Sequence, residues 1–89
     1  MHETTFVVKD GKLCLAWCGK AREVLKAWEG FTGWFWFGVE RTGGGEWFGF
    51  VQGVEEEWGY FSEKELEPLV RRGLVWEIEA RDLPFAGRR

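Results

Sequence analysis

The chain has 89 residues, 45% of them hydrophobic and 18% aromatic, with 7 Trp and 8 Phe; twelve Lys and Arg against fifteen Asp and Glu leave a formal net charge of -3. So few residues close one core rather than two, and large rings burying roughly 150–250 Å² each supply that core without staples. The balance of charge predicts no basic stripe for nucleic acid, and apolar runs such as Trp34 to Phe37 are too short for a membrane-spanning helix, so the expectation is a soluble, cytoplasmic single domain over residues 1–85 with a disordered tail at 86–89.

Met1 to Gly11 lacks the basic start, apolar run and small-residue site of a secretory signal. Thr4 to Lys9 is rich in β-branched and aromatic residues, and Lys12 to Trp17 resumes the pattern after Asp10-Gly11, a dipeptide that accepts positive φ in a type I′ turn; a hairpin is predicted. Cys14 and Cys18 would lie about 13 Å apart on a strand, beyond disulfide reach, and with His2 as the only histidine no four-ligand zinc site can be assembled; two reduced, mostly buried thiols are expected. The absence of Asn and the scarcity of Gln and Ser point to a thermophilic or high-GC source. Ala21, Val24, Leu25 and Trp28 fall at helical spacing among charged residues, which predicts an amphipathic helix over Lys20 to Glu29 stopped by Gly30. A rival reading runs that helix back through Trp17 and Leu13.

Trp34 to Arg41 and Glu46 to Gly53 read as two strands joined by Thr42-Gly43-Gly44-Gly45. With Arg41 opposite Glu46, alternation places Phe35, Phe37, Val39, Phe48 and Phe50 on one face and Trp34, Trp36, Trp47 and Val51 on the other, with Gly38 opposite Gly49 leaving a gap between the indoles. A one-residue slip would mix the two ring types on both faces. Ser62 with Glu65 three residues later forms a capping box, and Phe61 can staple onto Leu66. Pro68 lacks an N–H, so a short helix from Glu63 to Glu67 and a further turn from Pro68 to Arg72, ended by Gly73, are expected. Leu74 to Ala80 alternates Leu74, Trp76 and Ile78 against Val75, Glu77 and Glu79, the pattern of a half-buried edge strand. The fold class that results is α+β: an antiparallel sheet of about five strands with one amphipathic helix and one short broken helix.

Residues 34–85 resemble a family of short proteins from plasmids, phages and integrated elements described as domain of unknown function 2958. The resemblance is carried by Trp34-Phe35-Trp36-Phe37, Glu40, Trp47-Phe48-Gly49-Phe50-Val51-Gln52-Gly53, Glu55, Glu57, Gly59-Tyr60-Phe61-Ser62, Glu65-Leu66 and Ala80-Arg81-Asp82-Leu83-Pro84-Phe85. It ends before Gly33, and Phe37 and Ala80 stand where the family pattern has a tyrosine and an acid. It implies a mobile-element origin and a shared scaffold, and brings no activity with it.

His2, the only histidine, sits beside the start of the chain, and neither a Ser/His/Asp nor a Cys/His constellation nor a cofactor is expected. The glycine-rich tip leads into a strand rather than a helix N-terminus, which argues against a phosphate loop. The acidic run Glu55-Glu56-Glu57, with Glu40 and Glu46 nearby, is the one dense carboxylate group; only Glu55 and Glu57 could converge, and the run reads first as a solvated surface, then as an acidic patch for a partner, and last as a carboxylate-based hydrolase or metal site. Arg71-Arg72, Arg81-Asp82 and Arg88-Arg89 read as structural charges. The weightiest feature is the tryptophan face. Trp34, Trp36 and Trp47 around Gly38 and Gly49 read first as structural packing, with the amphipathic helix covering one face through Val24, Leu25 and Trp28 and the segment around Leu66 and Leu69 covering part of the other; the functional reading is a non-enzymatic accessory protein of a phage or plasmid, monomer or homodimer, that binds a protein partner through its aromatic face. The alternative is a weak single-stranded nucleic-acid binder stacking bases on those indoles, with Lys9, Lys12, Lys20 or Arg41 as its only basic groove.

Overall fold

The computed structural model describes residues 3–79. Eight strands and one helix follow in the order β1 (Thr5–Lys9), β2 (Lys12–Trp17), β3 (Lys20–Glu23), β4 (Lys26–Gly30), β5 (Phe35–Gly43), β6 (Glu46–Gln52), β7 (Glu56–Ser62), α1 (Glu63–Arg71) and β8 (Val75–Ile78). They form a three-stranded sheet ordered β1-β2-β3 and a five-stranded sheet ordered β7-β6-β5-β4-β8, with every pairing antiparallel. The α+β class holds, but the strands number eight in two sheets rather than about five in one. The expected tail at 86–89, Phe85 and the Arg81-Asp82 pair lie outside the described residues.

The first hairpin forms as its turn residues dictate, with Asp10 at φ 55° and Gly11 at φ 75°. A second turn of the same kind follows at Cys18 and Gly19, φ 54° and 79°, and it sends the chain back as a strand. The helix expected over Lys20 to Glu29 is therefore absent. In its place β3 pairs with β2, and Val24-Leu25 carries the chain across to the larger sheet: the Val24 N–H bonds to the Leu13 carbonyl at 2.9 Å and the Leu25 N–H to the Gly38 carbonyl at 2.8 Å. Leu25, which helical spacing would bury beside Val24, is 56% exposed. The periodicity misleads because β4 lies between β5 and β8 with both faces covered, so Ala27 and Trp28 are both buried and the alternation of a half-buried strand is lost. The two cysteines are free, as the spacing requires, but only Cys14 is buried; Cys18 is exposed at its turn.

The central hairpin keeps the predicted register where it matters and departs from it at the tip. Phe35 pairs with Gln52, Phe37 with Phe50 and Gly38 with Gly49, after which irregularities between Gly38 and Glu40 and between Arg41 and Gly43 shift the ladder, so that Arg41 faces Trp47 and Glu46 faces Gly43. Bulges of this kind insert a residue without exchanging the faces of the strand beyond them on the partner side. The ring types sort as the alternation demands. Phe37, Phe50, Val39 and Ala27 are buried beneath Leu13 and Leu15 of the small sheet, with Phe6, Phe35, Phe48 and Trp58 around them. Trp28 and Trp47 lie in a second core with Phe61, Leu66 and Val75, flanked by Trp36, Val51 and Leu69.

Ser62 caps α1, its hydroxyl accepting the Lys64 N–H at 3.1 Å, and Phe61 and Leu66 meet in the second core as a staple should. Pro68 does not split the helix in two: α1 runs unbroken to Arg71 with Pro68 inside it. The proline sits near the end, where the next turn is closed by its own bonds, Gly73 N–H to the Val70 carbonyl at 3.0 Å and Leu74 N–H to the Leu69 carbonyl at 2.9 Å, with Gly73 at φ 76°. Such a closure satisfies the last carbonyls and needs a residue that tolerates positive φ. β8 joins the sheet edge beside β4 and its expected alternation holds in part: Ile78 packs on the first core and Glu77 and Glu79 are exposed, but Val75 is buried and Trp76 is exposed, its indole N–H reaching Glu29 Oε1 at 3.3 Å.

Candidate functional site

The seven tryptophans divide by environment. Trp28 and Trp47 are buried, Trp17, Trp34, Trp36 and Trp58 are half-buried, and Trp76 is exposed. Trp47 thus leaves the predicted binding face. It is 1% exposed, its ring edge-on to Trp28 at 6.1 Å and its indole N–H donated to Glu63 Oε2 at 2.6 Å. The gap expected at Gly38 and Gly49 is filled. A Cβ on Gly38 would stand 2.5 Å from Trp47 Cε3, and one on Gly49 would run into the Phe37 carbonyl, so these glycines admit the indole and the neighbouring strand rather than a ligand.

Around Trp47 the charges are arranged to hold it. Glu63, the first residue of α1, takes the indole N–H and also pairs with Lys26 Nζ at 3.3 Å, while Lys26 reaches Glu77 at 3.7 Å. The Arg41 guanidinium lies over the Trp47 ring, 4.4 Å from its centre, a cation–π contact. The indole hydrogen bond, ahead of the opposing effect of burial and with help from Lys26 and Arg41, holds the Glu63 carboxyl below the usual carboxylate range. This cluster docks the helix on the sheet and engages both Lys26 and Arg41.

Trp34 and Trp36 remain accessible at the other end of that face. Their rings stack 5.8 Å apart at 30°. Two glycines let them lie low: a Cβ on Gly53 would collide with the Trp34 ring, and one on Gly30 would meet Trp36 Cζ3 at 3.4 Å. Beside them a tight turn, closed by the Gly33 N–H on the Gly30 carbonyl at 3.0 Å, lifts Phe31 into solvent at 66% exposure, and the Phe31 N–H is anchored to the Leu74 carbonyl at 2.9 Å. Phe31, Trp34, Trp36, Leu69, Leu74 and Val75 with Gly30 and Thr32 line an open groove of about 250 Å³ whose walls are almost wholly apolar. Phe31 escaped the sequence reading; the signal available was a large apolar residue within Gly30-Phe31-Thr32-Gly33, a segment otherwise built as a turn.

Trp34 is also a wall of a second cavity, about 400 Å³, with Val51, Val54, Glu55 and Glu57. Glu55 and Glu57 therefore converge as the sequence allowed. Glu40 does not join them: it pairs with Phe48 toward the tip of the β5–β6 ladder, the end away from Gln52. Glu46 accepts the Thr42 hydroxyl at 3.0 Å within that tip. A third cavity, about 740 Å³, lies at the seam of the two sheets among Glu3, Thr4, Trp17, Phe50, Glu56, Glu57 and Trp58. There Trp17 stacks on Trp58 at 4.6 Å and the Trp58 indole N–H is donated to Thr4 Oγ1 at 2.9 Å.

Among the described residues no three His, Cys, Asp or Glu side chains gather where they could hold a metal ion, and no helix is long and apolar enough to cross a membrane. No family model, no curated protein and no solved structure matches the chain.

Proposed function

We propose that the protein is a non-enzymatic binding module whose groove at Phe31, Trp34 and Trp36 accepts an apolar side chain from a protein partner. The observation that carries this reading is the pairing of an exposed phenylalanine with two stacked indoles along a groove that offers almost no polar group. Aromatic side chains in such a setting act as interface anchors, because they supply large contact area at low cost in conformational entropy. The indoles rest on glycines and need no rearrangement to bind. A single-stranded nucleic acid fits less well, since Glu55 and Glu57 border Trp34 and would repel phosphates. The family resemblance implies a mobile-element origin only, and an accessory role in a phage or plasmid is the setting we attach to this proposal.

A peptide-display selection on the wild-type protein, followed by binding measurements on Phe31→Ser and Trp34→Ala, tests it. Selected peptides should lose at least about tenfold in affinity on each variant, while Phe31→Ser, at an exposed position, keeps the thermal midpoint of the parent. Peptides that bind both variants as well as the parent reject the groove. Indole quenching by oligonucleotide at low salt, with no peptide selected, favours the nucleic-acid reading instead.

A further inference from the structure

We infer that β7 is a pairing edge, and that it joins the β7 of a second copy of this chain in antiparallel register about Gly59, fusing two five-stranded sheets into one. The inference goes beyond the groove reading and concerns the opposite edge of the large sheet from β8, which lines the groove through Val75. Among the described residues four strands lie at sheet edges. β3 and β8 have four residues each and β1 has five, whereas β7 has seven, pairs with β6 without irregularity and contains no Lys, Arg or Pro. Short length, Lys, Pro and bulges are the means by which edges are blunted. β7 uses none of them, and its only charges, Glu56 and Glu57, stand at one end.

The ladder itself tells which backbone groups face outward. The Gly53 N–H bonds to the Glu55 carbonyl at 3.2 Å and the Glu63 N–H to the Gly45 carbonyl at 2.9 Å, and both pairs continue the register that sets Gly49 opposite Gly59. Hydrogen-bonded pairs alternate along an antiparallel ladder. Glu57, Gly59 and Phe61 therefore spend their backbone groups on β6, while Glu56, Trp58 and Tyr60 turn theirs outward, where no described strand takes them. Gly59 supplies the second argument. A glycine inside a strand weakens it and marks the close approach of another backbone, yet a Cβ at Gly59 would meet nothing within 4 Å. A twofold axis at Gly59 provides that neighbour: its pair is then of the non-hydrogen-bonded kind, the closer of the two, with Cα atoms about 4.5 Å apart. The same register overlaps the whole strand and presents one patch to itself, as an isologous contact requires. It lets Trp58 exchange both backbone bonds with Tyr60 of the second copy and sets the exposed Tyr60 ring beside that copy. Glu56 then faces Ser62 and Glu57 faces Phe61, so no two carboxylates stand directly opposite, an arrangement that would repel. Trp58 contributes its backbone only, and its ring stays stacked on Trp17.

Sedimentation equilibrium of the wild-type protein, carried into the millimolar range, should find monomer and dimer in exchange. Tyr60→Pro removes an outward N–H that β6 does not use, a change that edge strands tolerate; it should abolish the dimer and keep the circular dichroism of the parent. Tyr60→Lys leaves the backbone whole and blunts the edge by charge, and it should likewise give a monomer, which keeps the test decisive where the proline variant does not fold. In a Cys18→Ser background, which removes the exposed thiol, Gly59→Cys should cross-link two copies on mild oxidation with oxidised glutathione, because the paired Cα atoms lie within disulfide range. Glu57→Cys, about 13 Å from its mate in this register, should not. A monomer at every concentration overturns the inference. So does a dimer that survives both Tyr60 variants, fails to cross-link at position 59, or cross-links through position 57 instead. None of these results bears on the groove, whose peptide binding is read separately through Phe31→Ser.

Discussion

The five-stranded sheet has two faces of similar aromatic content and different fates. On the phenylalanine face the cover is another sheet, and Phe37, Phe50 and Ala27 are buried beneath Leu13 and Leu15 with Phe6 edge-on to Phe37 at 5.2 Å. On the tryptophan face the cover among the described residues is α1 alone. Nine residues of helix are about 13 Å long, while five paired strands are about 19 Å across. The shorter cover buries Trp28 and Trp47 and leaves Trp34 and Trp36 half open. Composition alone does not separate core from surface here; the extent of the covering element does.

Truncating one indole at each end of the tryptophan face would break this contrast most directly. Trp47→Ala should cost about 3–5 kcal/mol, the usual loss for a buried large aromatic, and urea unfolding would register it as a drop in midpoint. Trp34→Ala should cost distinctly less than Trp47→Ala in the same assay. Equal losses would mean that the two indoles share one environment, and the distinction between covered and open halves would fall.

Gly53→Ala sharpens the comparison. Its methyl group would collide with the Trp34 ring, and because that ring is half exposed it can swing outward, so the stability loss should stay near about 1 kcal/mol. The groove should nevertheless be spoiled, which peptide affinity and the chemical shifts of the Trp34 indole would both report. A stability loss as large as that of Trp47→Ala would show that Trp34 is locked in the core after all.

The covered half also carries a pH dependence. Since Glu63 has its carboxyl held below the usual range by the Trp47 indole N–H and by Lys26, its contribution is complete above the unfolded-state value and disappears as pH falls through the folded-state value. Glu63→Gln should therefore lower the thermal midpoint at neutral pH, and the gap from wild type should close on acidification. A gap that stays constant from neutral to acid pH would remove Glu63 from the account. The effect is the smallest of the three, since the group is partly solvated and such pairs contribute modestly.

Much of this arrangement is legible in the residues themselves. Asp10-Gly11 announces its turn, Ser62 its helix, and the alternation of Phe with Trp about Gly38 and Gly49 sorts the two faces through Phe35 to Gly38, despite the irregular ladder nearer the tip. Local signals suffice where one residue type has one job. They fail where burial comes from elsewhere in the chain. β4 looks helical because covers on both faces erase its alternation, and Trp47 looks like a binding residue because its partners Glu63 and Arg41 are brought to it only by the folded sheet and helix. The candidate site was half visible: Trp34, Trp36, Glu55 and Glu57 were chosen and stand together, Trp47 and Glu40 were chosen and stand apart, and Phe31 was hidden in a turn.

The stop signal of α1 doubles as masonry. Leu69 and Leu74 are tied by the bond that ends the helix, both line the groove, and Leu74 in turn anchors the backbone of Phe31. Gly73, whose backbone a side chain would strain, thus acts as a keystone: exchanging it would disturb two walls of the groove at once. A change at that one position would reshape the groove without altering any residue that lines it.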